Sequence, residues 1–438
     1  MNRIRVTHRN IFSFRALIPI SAAAVMIVFG SRRWVKWVFS SDGDAGESLY
    51  QASVYSRTVI SLDYFHDGFV RRGLGGTLAS ALSSDWLTST VLFTLVSTIW
   101  LAAALAAITF KLGSRSRLSI PIYFALVVTL SPQTFLAWGI DIARTDMLVA
   151  GFVAWSVFAT LSGYRLCGVI LLLVGSLAHE TALIFGAPLL FSISFSSYSS
   201  GKLTSCHAIA MTIVFLIGLG AIMAGQRLWA APPSFLAHRM LHSGPDRTDY
   251  NTVLSKDIAT YVLVTGLRGV RASMCYNFDF DPRYALNAIL CLIIAASYSI
   301  IVPVKNKLLF LISVILPVLF MLLIATDTGR WLQLAVINAW LLAVAERLQG
   351  PGEAAPVSIA AASVGGAALA VLLMMGVTHY DNVNRLTGFI SNRLGLPSRA
   401  PLEQWMARCD PQWQSVLAAG RTSEVPPVVP ADRGVQVD

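Results

Sequence analysis

The residues able to do chemistry are charged groups that interrupt long apolar runs. The densest set begins Ser41-Asp42-Gly43-Asp44-Ala45-Gly46-Glu47 and continues as Asp63-Tyr64-Phe65-His66-Asp67-Gly68-Phe69-Val70-Arg71-Arg72-Gly73-Leu74-Gly75-Gly76. If the second half is helical, Asp63, Asp67 and Arg71 recur at i, i+4 and i+8 on one face. The adjacent guanidiniums of Arg71 and Arg72, followed by glycines, then make a clamp that can approach a phosphate closely. A carboxylate beside such a clamp can take the proton of a hydroxyl that reacts near the phosphate. Asp67, four residues before Arg71, is the expected base, with Asp44 the runner-up. A plainer reading stands beside this one: an interfacial helix whose acids pair with its own arginines.

Three further groups are candidates for binding a substrate. Asp141, Arg144 and Asp146 fall at the ends of two apolar segments, where two acids around one arginine either join a site or staple a turn. His179-Glu180 has apolar residues on both sides, and ionisable groups in that setting are costly to hold near lipid. A structural contact between helices is the alternative there. Asp327 and Arg330 precede Trp331, a pattern that also suits an interfacial anchor. Phosphate-binding glycine loops, dinucleotide motifs, zinc-ligand spacings and Gly-x-Ser-x-Gly elbows do not occur, so no cofactor or metal is implied, and a divalent cation is left open.

The elements that position these groups follow from composition. The 438 residues are 55% hydrophobic and only 13% charged, more apolar surface than one soluble core can hide, so lipid is part of the solvent. Spans are expected near 11–30, 87–110, 118–137, 147–162, 206–226, 284–302, 308–325, 331–349 and 356–377. The runs lack the alternation of barrel strands, so the fold class is an all-α polytopic transmembrane bundle. The stretch 166–197 is either one long helix with a buried charged pair or two short helices meeting at a polar turn. The pair is preferred because it gathers Lys111, Arg115, Arg117, Arg165, Lys202, Lys305, Lys307 and Arg347 on the cytoplasmic side, and it brings the total to ten or eleven spans.

On that topology residues 1–377 are the membrane domain, with a long first extracytoplasmic loop at 31–86 and a second at 227–283. Residues 378–438 form an extracytoplasmic tail, with an interfacial apolar periodicity at Val383, Leu386, Phe389, Ile390 and Leu394 and a proline-rich end. The formal charge of +10 is read as topology and attraction to membrane lipids, not to nucleic acid. Cys167, Cys206, Cys275, Cys291 and Cys409 lack paired spacing and are expected to pack as small hydrophobes. The oligomeric state is not legible.

The long first loop with its acids, and the stretch from Arg144-Thr145-Asp146 through Arg165 to His179-Glu180 and Pro188, resemble the GT-C superfamily of membrane glycosyltransferases over roughly residues 11–200. An adjacent Asp-Asp or Asp-Glu pair after the first span is missing from this chain. The resemblance implies a sugar donor linked to polyprenyl phosphate, a glycan, lipid or protein acceptor, and catalysis on the extracytoplasmic face of a bacterial inner membrane. The rivals are a polysaccharide polymerase or ligase using lipid-linked glycans, and a secondary transporter. The transporter is disfavoured because the polar groups cluster at one face and no internal repeat is visible.

Overall fold

A computed structural model describes residues 62–84, 86–115, 145–232, 306–324 and 328–349, with the short pieces 235–236, 286, 289, 292–293 and 389–394. Most of these residues are helical, and no strand occurs among them. The helices are α1 (Gly73–Leu82), α2 (Trp86–Arg115), α3 (Asp146–Leu161), α4 (Arg165–Ala178), α5 (Ala187–Ser199), α6 (Ser205–Trp229), α7 (Leu316–Ile324) and α8 (Thr328–Gln349). A π-helical turn, Ala182–Gly186, leads into α5; a short turn, Lys307–Phe310, and a second π-turn, Leu311–Ile315, lead into α7.

Among the described residues three stretches are long and apolar enough to cross a membrane: Thr88–Ile108, Ala182–Ser199 and Ser205–Trp229. At about 1.5 Å per residue they match a hydrocarbon layer of about 30 Å. The expected spans 87–110, 147–162, 206–226, 308–325 and 331–349 each coincide with a helix. Those at 11–30, 118–137 and 356–377, and nearly all of 284–302, lie outside the described residues. So does the tail beyond 378, apart from 389–394, where the Arg393 guanidinium sits 5.6 Å from the centre of the Phe389 ring.

The stretch 166–197 is a hairpin. Arg165 Nη2 donates to Lys202 O at 2.6 Å, although the two residues are 37 apart in sequence. One straight helix would separate them by roughly 55 Å. α3 passes to α4, and α5 to α6, through Gly163 (φ 94°) and Gly201 (φ 69°), backbone conformations that L side chains rarely adopt. Behind each glycine an N–H reaches back over the helix end, Tyr164 to Ala159 O at 2.9 Å and Lys202 to Ser197 O at 2.9 Å.

These reversals give the bundle two unlike ends. At one, Lys111 Nζ donates to Ser162 Oγ at 2.9 Å, Lys202 Nζ donates to Gln349 O, and Asn306 N–H donates to Glu346 Oε1 at 3.2 Å. Lys307 and Arg347 belong to this basic end. The opposite end holds Asp63, Asp67, Arg71, Arg72, Asp146, His179 and Glu180. Cys167 and Cys206 are exposed near the basic end instead of packing in the core as expected; Cys275, Cys291 and Cys409 lie outside the described residues.

α8 runs through the middle. Trp331, Leu332 and the stretch Leu334–Ala345 are buried, whereas only 11% of the most apolar window of Ser205–Trp229 is. The central helix therefore tolerates polar residues, because protein and not lipid surrounds it. Both π-turns stand just ahead of a proline, Pro188 and Pro317. A proline lacks the N–H that a regular helix would give the carbonyl four residues back, which here are those of Ile184 and Ser313. Asn338 of α8 reaches both helices, donating at 3.0 Å to Ser313 O, which Pro317 frees, and at 2.8 Å to Phe185 O, the carbonyl next to the one Pro188 frees. Ser313 Oγ donates to Ser192 Oγ at 2.8 Å alongside.

Asn338→Leu keeps the γ-branched shape and removes both donors. We expect it to cost about 1–3 kcal/mol of stability, the penalty for leaving buried carbonyls unsatisfied. Thermal unfolding of the purified protein in detergent measures this; an unchanged midpoint would show that other donors serve the two π-turns.

Candidate functional site

The segment 62–72 is not the helix that would put Asp63, Asp67 and Arg71 on one face. Local hydrogen bonds close it into a turn first. Asp63 Oδ1 accepts the N–H groups of Phe65 at 2.8 Å and His66 at 2.9 Å. Asp67 N–H donates to Asp63 O at 3.0 Å, and Asp67 Oδ2 accepts Asp63 N–H at 2.9 Å, so the two aspartates clasp each other's backbone. Gly68 (φ 70°) then turns the chain along the end of α6. Phe69 N–H donates to Trp229 O at 3.2 Å and Ala231 N–H to Asp67 O at 2.9 Å. A Cβ on Gly68 would stand 2.0 Å from Trp229 O, so only glycine fits.

Tyr64 anchors the other side of the turn. Its N–H donates to Thr77 Oγ1 at 2.9 Å, its hydroxyl to Leu177 O at 3.4 Å, and its ring fills the space a Cβ on Gly73 would need. Burial pushes its phenol above the ordinary range. The start of α1 is thereby pressed against α4, and the glycines of 73–76 serve close packing here: a Cβ on Gly75 would lie 2.9 Å from Thr145 Cγ2, next to Asp146 at the start of α3.

Arg71 and Arg72 end the turn, and Arg72 takes the left-handed conformation (φ 66°, ψ 7°) immediately before α1. For a side-chain-bearing residue this costs about 1–2 kcal/mol. What holds it there is Glu180, 108 residues away, in the break between α4 and the first π-turn. Arg72 Nε donates to Glu180 Oε2 at 3.0 Å and its Nη2 to Oε1, a two-pronged contact; Arg71 Nη1 lies 2.7 Å from Oε1. All three side chains are buried, Arg71 completely. Such a pairing of planar groups is strong where water is excluded, and removing one member leaves charge stranded.

His179 approaches Glu180 Oε2 at 3.7 Å, but its Nδ1 accepts the N–H of Thr181 at 3.2 Å. Nδ1 therefore carries no proton, the ring is the neutral Nε2–H tautomer, and the approach to Glu180 is not an ion pair.

The structure thus brings together Asp67, Arg71, Arg72, His179 and Glu180. Asp146 opens α3 at the same end and is fully buried. Asp44, Asp141, Arg144 and Asp327 lie outside the described residues, as does the side chain of Arg330, whose backbone is in α8. Asp67, the expected base, is fully enclosed, and one of its oxygens is committed to Asp63 N–H. Among the described residues no group of three or more His, Cys, Asp or Glu side chains could hold a metal ion.

The residue that spacing alone passes over is His66. Its Nδ1 lies 2.9 and 2.8 Å from the two oxygens of Asp63, so Nδ1 donates to the carboxylate, and in the neutral ring Nε2 is the nitrogen that keeps the lone pair. Its side chain is 58% exposed, whereas that of Asp63 is 4% exposed. The legible signal was an aspartate three residues ahead of a histidine in a turn, an arrangement in which the carboxylate can cap the backbone and meet the ring together.

Glu180→Gln should destabilise the fold by about 3–5 kcal/mol, because it leaves two buried guanidiniums on a neutral amide. The double variant Glu180→Gln/Arg72→Gln should lose less than the sum of the single losses. Additive losses in a double-mutant cycle would mean that the contact between these two side chains is not energetically coupled.

The chain matches no protein-family model, no curated protein sequence and no solved structure.

Proposed function

We propose that this chain is a polytopic membrane glycosyltransferase that moves a sugar from a polyprenyl-phosphate-linked donor to an acceptor hydroxyl. The observation that carries the reading is the pairing of first-loop residues Arg71 and Arg72 with Glu180 at the end of the bundle opposite the basic turns. Short basic loops face the cytoplasm, which puts the Arg71–Glu180 end on the extracytoplasmic side of a bacterial inner membrane, within a bundle of ten or eleven spans. A bilayer-bound donor presents its phosphate at that depth, and the arginine pair is the cationic pole that draws it there.

The exposed imidazole then completes the chemistry. The acceptor's hydroxyl proton passes to His66 Nε2 while its oxygen forms a bond to the anomeric carbon. The bond from that carbon to the phosphate oxygen breaks, and its electron pair leaves with the polyprenyl phosphate. Asp63 holds the ring through Nδ1–H and stabilises the imidazolium that forms; Asp67 holds Asp63. A polymerase or ligase would use the same step with a glycan as acceptor.

The test uses purified full-length protein with a panel of synthetic polyprenyl-phosphoryl hexoses, reading release of polyprenyl phosphate. His66→Gln should cut turnover by about 100- to 10,000-fold with little change in unfolding temperature, the usual worth of general-base assistance. Asp67→Asn, which keeps an oxygen for Asp63 N–H, should retain more turnover than His66→Gln. The reverse order would return the base to Asp67, and turnover of no donor by the wild type would sink the glycosyltransferase reading. For orientation, single cysteines replacing Phe65 should react with an impermeant thiol reagent on intact cells, while those replacing Lys111 or Lys202 stay protected. Labelling at 111 or 202 would invert the topology.

A further inference from the structure

α5 and α6 form a hairpin that leaves a groove of about 410 Å³ on its outer side, lined by Phe191, Phe195, Tyr198, Leu203, Ile209 and Met211 together with a few small hydroxyl residues. No ionisable acid or base other than the Tyr198 phenol lines it, so it suits a hydrocarbon chain and not a charged or sugar group. Phe195 and Ile209 are 58% and 59% exposed on helices long and apolar enough to span a bilayer, which makes lipid the medium the groove opens to.

The groove ends at the turn 200–204, and there its surroundings change character. Arg165 reaches the backbone of Lys202, the residue before groove-lining Leu203, and Lys202 itself meets the end of α8. Lys307 and Arg347 are at the same end. Glu346, the acid beside them, accepts the N–H of Asn306. A chain in the groove would therefore carry its headgroup into a cationic collar.

The donor of the proposed reaction is the wrong occupant. Its phosphate belongs at the end of the bundle that holds the Arg71–Arg72–Glu180 cluster, and Ala182–Ser199 separates that end from the collar by roughly 27 Å. We infer that the α5–α6 groove is a binding site for one acyl chain of an anionic glycerophospholipid from the opposite leaflet, with its phosphate held by Arg165 and Lys202. This site does not depend on the transferase reading.

The experiment takes the full-length protein from vesicles of equal parts phosphatidylglycerol and phosphatidylcholine into mild detergent and counts retained lipid by native mass spectrometry. The wild type should keep phosphatidylglycerol over phosphatidylcholine by about 10- to 30-fold, the effect of two cations at a membrane surface. Arg165→Gln/Lys202→Gln should lose that preference, and Ala208→Trp, which fills the groove, should lose retention of both lipids. As a check that needs no variant, added phosphatidylglycerol should raise the wild-type unfolding temperature and phosphatidylcholine should not. Equal retention of the two lipids by the wild type, an unchanged preference in the double variant, full retention by Ala208→Trp, or no difference between the lipids in unfolding temperature would overturn the site.

Discussion

A single buried carboxylate, Glu180, fixes where the first loop of this protein can be. It stands at the only break in the α4–α5 hairpin and meets two consecutive guanidiniums from a segment more than a hundred residues away. Because both partners are enclosed, neither can be given up to water, and the loop has one arrangement that leaves no charge stranded. The left-handed backbone of Arg72 is the local cost of that arrangement. Gly68 and the end of α6 secure the other side of the same turn, and Tyr64 ties it to α4. The result is a rim at one end of the bundle, on which the His66 ring stands exposed while the Asp63 that holds it is buried.

A second constraint operates inside the bundle. Two prolines interrupt two neighbouring helices, and a polar residue on the central helix satisfies a carbonyl in each. Hydrogen bonds of this kind set the registry of helices that lipid alone would let slide, because apolar side chains gain nothing from protein neighbours over lipid tails except packing. Gln349 repeats the pattern near the basic end, donating to Ile193 O at 3.3 Å and Ser197 Oγ at 2.5 Å. The rim and the interior are thus coupled: the first π-turn, which Asn338 braces, begins two residues after Glu180.

Hydropathy made the helices legible, and the charge asymmetry of the short loops made the hairpin legible, because Arg165 and Lys202 had to share a side. His179-Glu180 was recognisable as costly, and its cost is met by arginines whose adjacency was also visible. The partnership itself was not, since a contact between residues 72 and 180 leaves no local pattern. The helical reading of 63–72 failed for a physical reason. Asp63 and Asp67 spend their oxygens on nearby N–H groups, and Gly68 takes a positive φ to pair with α6, so an i, i+4 spacing that suits a helix is used for a turn. His66 was hidden for the same reason: its role depends on a turn in which one carboxylate caps the backbone and holds the ring.

The central claim is that Glu180 holds the first loop in place. Spin labels on the exposed positions Phe65 and Tyr164, at opposite ends of α4, report it through their distance distribution in otherwise cysteine-free protein. One narrow distribution in the wild type that broadens in Glu180→Gln, while the helical circular dichroism stays unchanged, is the result predicted. An equally narrow distribution in Glu180→Gln would contradict the claim and assign the placement of the loop to Gly68, Tyr64 and the end of α6.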